Sequence, residues 1–75
     1  MAHTDVLIHT NNALNEPAAR RVIETLNQVA GVAKTRFTPD KGHLVMVSYD
    51  PGSVAATRLL GVVTELGYNA QLVGL

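Results

Sequence analysis

Three histidines of this 75-residue chain could coordinate a metal ion: His3, His9 and His43. A neutral imidazole binds Cu(II), Ni(II) and Zn(II). His9 ends the first predicted strand, and His43 begins the third, which we expect to run antiparallel beside the first. The two could therefore share one neighbourhood and a metal ion. They could equally be two ordinary surface histidines whose side chains point to different faces.

His3 suggests a separate chemistry, because an amino terminus followed closely by a histidine can chelate Cu(II) or Ni(II). The chelate would use the amine, the deprotonated amides and the imidazole. Ala2 is small, so we expect Met1 to be removed, which leaves His3 second in the chain and the chelate weaker. The alternative is a terminal segment without a metal role.

The chain contains no cysteine, which excludes disulfides and thiolate metal sites. Its carboxylates are scattered along the sequence, and its serines have no evident histidine and aspartate partners. No glycine-rich phosphate-binding motif is present. We therefore predict a protein that is not an enzyme and has no cofactor, apart from weak binding of Cu(II), Ni(II) or Zn(II).

Composition and charge narrow the class of protein further. The chain is 47% hydrophobic with a formal net charge of +0, which suits one small domain over residues 1–75 with a core at about 5–74. A neutral chain without a basic stripe argues against nucleic-acid binding and leaves little repulsion between copies. Without a signal peptide or a stretch of ~20 apolar residues, we expect no membrane insertion and a cytoplasmic location.

Hydrophobic spacing predicts the elements that position these residues. Alternating or β-branched segments predict four strands, at 5–9, 32–38, 44–49 and 68–73. A turn at residues 39–42 would make the second and third strands a hairpin.

Two segments with helical spacing lie between the strands. The first should begin with Asn15 as its N-cap and Pro17 in its first turn, and end at Gly31. The second should begin between residues 53 and 57 and end at Gly67. The order βαββαβ with right-handed crossovers predicts an α+β, ferredoxin-like fold, with both helices on one face of a four-stranded antiparallel sheet.

Three short motifs carry a resemblance to a known family: AGVAKT at 30–35, YDPGSV at 49–54 and ELGYNA at 65–70. In this order and at these intervals they resemble the xGVxxV, YDPxxV and ELGYxA motifs of heavy-metal-associated domains. The resemblance covers nearly the whole chain and implies a ferredoxin-like fold. It also implies metal transport or homeostasis as the setting, with a second copy or a related metal-handling protein as the partner.

The metal loop of that family, Gly-Met-Thr-Cys-x-x-Cys, falls on residues 12–18 of this chain. Asn12 then stands at the glycine, and Asn15 and Ala18 stand at the two cysteines. Soft metals prefer thiolates, whereas an amide oxygen is a poor ligand and a methyl group is none. The resemblance therefore implies a degenerate member that does not shuttle Cu(I) or Hg(II) between paired thiolates.

Asn11 and Tyr68 belong to the neighbourhood of this loop. Asparagine caps helices and tolerates unusual backbone conformations, so Asn11, Asn12 and Asn15 suit a loop held by hydrogen bonds between side chains and backbone. The alternative function is contact with a small anion or a partner at the helix N-terminus.

Strand alternation predicts which side chains leave the core. Val6 and Ile8 on the first strand, and Val45 and Val47 on the third, should face the helices. Four apolar residues then point away from the helices: Leu7, Leu44, Met46 and Val73. We call these four the outer patch. Contiguous apolar patches mark interfaces, although single exposed apolar residues are ordinary.

Three hypotheses for function follow. The first is a small interaction or regulatory module without a thiolate site. The second is a metal-binding protein that uses His9, His43 and the asparagine loop for Cu(II), Ni(II) or Zn(II). The third is a small-ligand sensor, by analogy with ferredoxin-like domains that bind amino acids at dimer interfaces.

Overall fold

The computed structural model describes residues 3–11, 14–38 and 44–73. Six elements follow one another in these ranges: β1 (Thr4–Thr10), α1 (Glu16–Asn27), β2 (Val32–Thr38), β3 (Leu44–Tyr49), α2 (Ala56–Glu65) and β4 (Ala70–Val73). The strands form a four-stranded sheet in the order β2-β3-β1-β4, and each neighbouring pair is antiparallel. The predicted βαββαβ ferredoxin-like fold is confirmed.

The core lies between the sheet and the two helices. Val6 and Ile8 of β1 and Val45 and Val47 of β3 are buried, as alternation predicts. The helices add further buried apolar side chains to the same cluster: Ala19, Val22, Leu26, Leu59, Val62 and Val63. Full burial of a valine, leucine or isoleucine side chain stabilises the fold by roughly 1.5–3 kcal/mol, so this cluster holds the sheet and the helices together.

Helix α1 ends earlier than the sequence predicts. The sequence pattern predicts an end at Gly31, but the helix stops at Asn27. The N–H of Gln28 donates to the carbonyl of Thr25 at 3.2 Å, and the N–H of Val29 donates to Leu26 at 3.0 Å. These i to i+3 bonds tighten the last turn and close the helix. Gly31, with φ +98°, lies instead in the turn that leads to β2.

The turn between β3 and α2 packs against the turn between α1 and β2. The N–H of Asp50 donates to the carbonyl of Gly31 at 2.8 Å. The Asp50 carboxylate then accepts from the N–H of Gly52 at 2.9 Å and from Oγ of Ser53 at 3.0 Å. Two of the three sequence motifs, AGVAKT and YDPGSV, are therefore parts of one contact.

Helix α2 begins at Ala56, inside the predicted window, and ends at Glu65. Gly67 follows with φ +100°, the left-handed conformation that glycine adopts after a helix. Strand β4 begins at Ala70, so the predicted start at residue 68 was two residues early. The carbonyl of Asn69 instead accepts a hydrogen bond from the N–H of Asn11 at 2.8 Å, before the ladder with β1 begins.

Strands β2 and β3 pair from Val32 opposite Tyr49 to Thr38 opposite Leu44, with a bulge between Val32 and Lys34. The predicted hairpin is confirmed by this pairing, and its turn at residues 39–42 lies outside the described residues. Neither of the described helices is long and apolar enough to cross a membrane.

Candidate metal loop and outer sheet face

The connection between β1 and α1 ends in a helix cap. Asn15 has an extended backbone, and its Oδ1 accepts a hydrogen bond from the N–H of Ala18 at 2.9 Å. Pro17 lies in the first turn, where a missing N–H leaves no bond unmade, and Glu16 places a negative charge at the positive end of the helix dipole. The predicted N-cap is confirmed, and Asn15 and Ala18 bond to each other through it.

Leu14 is a part of this connection that the sequence analysis missed. It is buried, as is Ala19 four residues beyond the cap. An apolar residue directly before the N-cap and another at the fourth helical position commonly pack together and set the entry angle of the chain. The spacing of Leu14, Asn15 and Ala19 is the signal that could have revealed this. Asn12 and Ala13 lie outside the described residues.

The loop neighbours Asn11 and Tyr68 lie where β1 and β4 approach each other. Asn11 is exposed and is held by the hydrogen bond to Asn69, while Tyr68 is half-buried against the core. Glu16 pairs with Arg20 across 3.4 Å, but both side chains are largely exposed. Such an exposed pair contributes little stability.

The two described histidines, His3 and His9, lie far apart. His9 lies on β1 opposite Leu44 and Gln71, and His3 lies exposed just before that strand. Six residues of strand at about 3.4 Å each separate the two by roughly 20 Å. His43 lies outside the described residues, although its neighbour Leu44 stands opposite His9. Across 3–11, 14–38 and 44–73, no three His, Cys, Asp or Glu side chains are grouped to hold a metal ion.

The outer face of the sheet is the side that the helices do not cover, and the outer patch lies at its centre. Leu7 stands directly opposite Met46 of β3 and Val73 of β4. Leu44 lies two residues from Met46 on the same side of β3. All four side chains are half-buried. The register therefore makes the outer patch contiguous across three strands.

Charged and polar residues border the outer patch. Oγ of Ser48 donates a hydrogen bond to Oδ1 of Asp5, which stands opposite it on β1. On the other side of Ser48 stands Lys34, and Arg36 stands opposite Met46. The three charged side chains are exposed. The outer face thus has two cations on β2 and one carboxylate on β1.

A groove of about 580 Å³ lies between the C-terminal part of α1 and helix α2. Apolar side chains of Val29, Val54, Val62 and Leu66 contribute to its lining, together with polar residues. Arg58 and Glu65 approach to 3.9 Å beside it, and both are largely exposed. The groove is open to solvent and does not enclose a ligand-sized cavity. The small-ligand hypothesis stays a prediction.

We compared the chain with known proteins by sequence and by structure. No protein-family model and no curated protein sequence matches the chain, but solved structures do. Oxidized MerP from Ralstonia metallidurans CH34 matches with a TM-score of 0.86 at 18% identity, over 97% of this chain and 100% of that one. The copper chaperone of Enterococcus hirae, in its apo form, matches with a TM-score of 0.82 at 24% identity, over 91% and 98%.

A third structure is the N-terminal domain of a potential copper-translocating P-type ATPase from Bacillus subtilis in the Cu(I)-loaded state. It matches with a TM-score of 0.82 at 25% identity, over 97% of this chain and 90% of that one. The chain has the heavy-metal-associated fold. The resemblance that three sequence motifs indicated is confirmed at the level of the fold, and the described residues contain the elements expected of that fold.

The heavy-metal-associated fold implies a soft metal ion at the loop between β1 and α1, and the described residues there do not fit one. Oδ1 of Asn15 already accepts the Ala18 N–H, and Ala18 offers only a methyl group. Neither residue supplies the thiolate that Cu(I) or Hg(II) prefers. What this arrangement does is stabilise the first turn of α1.

Proposed function

We propose that this domain is a small non-enzymatic interaction or regulatory module of metal transport or homeostasis that does not itself carry soft metals. The observation that supports this proposal is the hydrogen bond from the Ala18 N–H to Oδ1 of Asn15. At the positions that the family resemblance assigns to two cysteines, this chain has a helix cap and a methyl group. A cap of this kind contributes about 1 kcal/mol to stability, so the pair has a structural role.

The setting comes from the structural neighbours. One neighbour is named as a copper chaperone, from Enterococcus hirae, and another is the Cu(I)-loaded N-terminal domain of a potential copper-translocating P-type ATPase from Bacillus subtilis. From these neighbours we infer that the chain works in a metal-handling setting, but not that it binds the metal. The partner would then be a second copy of this chain or a related metal-handling protein, met in the cytoplasm.

The outer patch is the surface on which such a partner would bind. Leu7, Met46 and Val73 are neighbours on a face that no helix covers. Exposing apolar side chains grouped in this way to water is unfavourable, and covering them with a partner is favourable. The connection between β1 and α1 exposes less apolar surface to a partner, because Leu14 there is already buried.

A Cu(I) titration against a competing chelator tests this function. We expect the natural protein to take no copper from the chelator, because no thiolate is present. The variant Asn15→Cys/Ala18→Cys should bind one equivalent if the loop keeps the family geometry. A matched variant, Asn15→Ser/Ala18→Ser, keeps a capping side chain without thiols and should stay as inert as the natural protein.

Saturable Cu(I) uptake by the natural protein would refute the proposal. Native mass spectrometry with Cu(II), Ni(II) and Zn(II) covers the histidine alternative. A 1:1 adduct that disappears in His9→Ala would make the domain a histidine-based metal carrier instead.

A further inference from the structure

We propose that the outer face of the sheet binds the outer face of a second copy of this chain, related by a two-fold axis parallel to the strands. This choice of partner rests on the proposed function as an interaction module. It follows from the cross-strand register, which orders the outer face into rows, and from the charges at the ends of those rows.

Two rows matter most. The first runs from Lys34 on β2 through Ser48 on β3 to Asp5 on β1. The second runs from Arg36 through Met46 and Leu7 to Val73 on β4. Each row begins with a cation on β2, Lys34 in the first and Arg36 in the second. The first row also ends with a carboxylate, Asp5 on β1.

A face-to-face dimer with two-fold symmetry can be built in two simple ways, because the axis must lie in the plane between the sheets. If the axis runs perpendicular to the strands, above the second row, each strand lies over the same strand of the partner. The second row then lies over the partner's second row. Arg36 then faces the partner's Arg36. Like charges brought together at an interface are unfavourable, so this arrangement is disfavoured.

If the axis runs parallel to the strands, β3 covers the partner's β1. Met46 then covers the partner's Leu7, and the symmetry repeats that contact, so four apolar side chains pack at the centre. Arg36 lies over the partner's Val73, where the aliphatic part of the arginine can pack. No like charges face each other in these two rows.

The same axis places Asp5 over the partner's Ser48, one strand from the partner's Lys34. Packed sheets lie about 10 Å apart and neighbouring strands about 4.8 Å apart, distances that an extended lysine and an aspartate side chain can span together. Two such ion pairs form, one on each side of the axis. Both side chains are exposed in one copy, and the Asp5 carboxylate, whose Oδ1 accepts a hydrogen bond from Oγ of Ser48, has a second oxygen to offer the lysine.

The size of the face predicts a weak dimer. Four strands and three rows of side chains cover roughly 20 by 20 Å, or about 800 Å² over both copies, below the ~1,200 Å² at which stable interfaces begin. A formal net charge of +0 leaves little long-range repulsion to oppose association. We expect self-association to be concentration-dependent, with the ion pairs selecting orientation more than supplying affinity.

Sedimentation equilibrium across roughly 10 µM to 1 mM protein measures this association. We expect the natural chain to shift from monomer towards dimer over that range. Met46→Lys places a charge at the centre of the face and should lower the association constant about tenfold or more. Asn27→Lys adds the same charge at the exposed end of α1 and should leave the constant unchanged. Circular dichroism confirms that both variants are folded.

Charge reversal tests the orientation. Asp5→Lys gives a copy with two cations at the paired positions, and Lys34→Glu gives a copy with two carboxylates there. Each variant alone should associate less than the natural chain. An equimolar mixture should recover the association, because opposite charges then meet at both pairs, and the recovery should fade as salt is added.

Three results would overturn the dimer: a natural chain that is monomeric throughout the range, a Met46→Lys variant that associates normally, or a mixture that recovers nothing. Failure here is distinguishable from failure of the proposed function. If the natural chain is monomeric and takes up no Cu(I), only the homodimer proposal is refuted. Cu(I) uptake by the natural chain removes the proposed function whatever its assembly state.

Discussion

Gly31 lies directly against Val54: a Cβ atom built on Gly31 would stand 2.9 Å from Cγ1 of Val54. It would also stand 2.9 Å from Cβ of Ser53. Real Cβ atoms do not approach so closely, so the turn before β2 and the turn before α2 can meet only if residue 31 is glycine. The same contact is closed by the hydrogen bond from the Asp50 N–H to the Gly31 carbonyl.

We predict that Gly31→Ala destabilises the domain more than Gly67→Ala does. Both glycines have a positive φ, near +100°, so both substitutions incur a backbone cost of about 1 kcal/mol. Only the first adds a steric clash, because nothing lies within 4 Å of a Cβ on Gly67. Urea denaturation of the two variants measures the difference. Equal losses of stability would show that the two turns are not in close contact.

Asn15→Ala should lower the free energy of unfolding by about 1 kcal/mol, because the Ala18 N–H loses its acceptor at the start of α1. Asn15→Ser and Asn15→Asp keep an oxygen at the same place and should retain most of the stability. Thermal unfolding followed by circular dichroism compares the three. If the alanine variant is as stable as the natural chain, Asn15 does not act as the cap.

Gly61→Ala should stabilise the domain by up to about 1 kcal/mol, equivalent to several degrees in melting temperature for a domain this small. Gly61 lies inside α2, its φ is not positive, and no atom lies within 4 Å of an added Cβ. Alanine therefore gains helix propensity without a clash. A lower melting temperature would mean that this part of α2 needs the flexibility of glycine.

Thr35 has a buried hydroxyl, and its Oγ1 finds no hydrogen-bond partner among the described residues. Replacing Thr35 by Val removes that hydroxyl while keeping the shape, so stability should be unchanged or rise by about 1 kcal/mol. Thr35→Ser keeps the hydroxyl and removes the methyl group, and it should be less stable than both. Chemical denaturation of the pair decides this, and a clearly destabilised Val variant would reveal a partner for the hydroxyl.

Much of the fold was predictable because strands and helices bury side chains at different periods. Alternation along residues 5–9 and 44–49 correctly separated Val6 and Val47 from Leu7 and Met46. The N-cap at Asn15 was predictable because its chemistry is local: an amide oxygen next to the first turn of a helix. The two helix-following glycines had the same local signal, and it was right for Gly67 and wrong for Gly31.

What the sequence could not predict depends on contacts between distant segments. Gly31 has Ser53 and Val54 packed against the place where a Cβ would stand, and no local pattern reports that contact. The rows of the outer face likewise depend on the register between strands. Alternation places Lys34 and Arg36 on one face of β2, but the bulge between Val32 and Lys34 shifts the pairing, so the residues opposite them, Ser48 and Met46, are known only from the structure.

The bulge in β2 has a further consequence for how copies of this chain can aggregate. Strands β2 and β4 are the two edges of the sheet, where unpaired backbone groups can recruit another strand and begin a fibril. The β2 edge is distorted by the bulge and has two exposed cations, Lys34 and Arg36, while the β4 edge is only four residues long. Such edges resist the open-ended addition of strands. Fibril growth by strand pairing is therefore unfavourable at both edges of the sheet, β2 and β4.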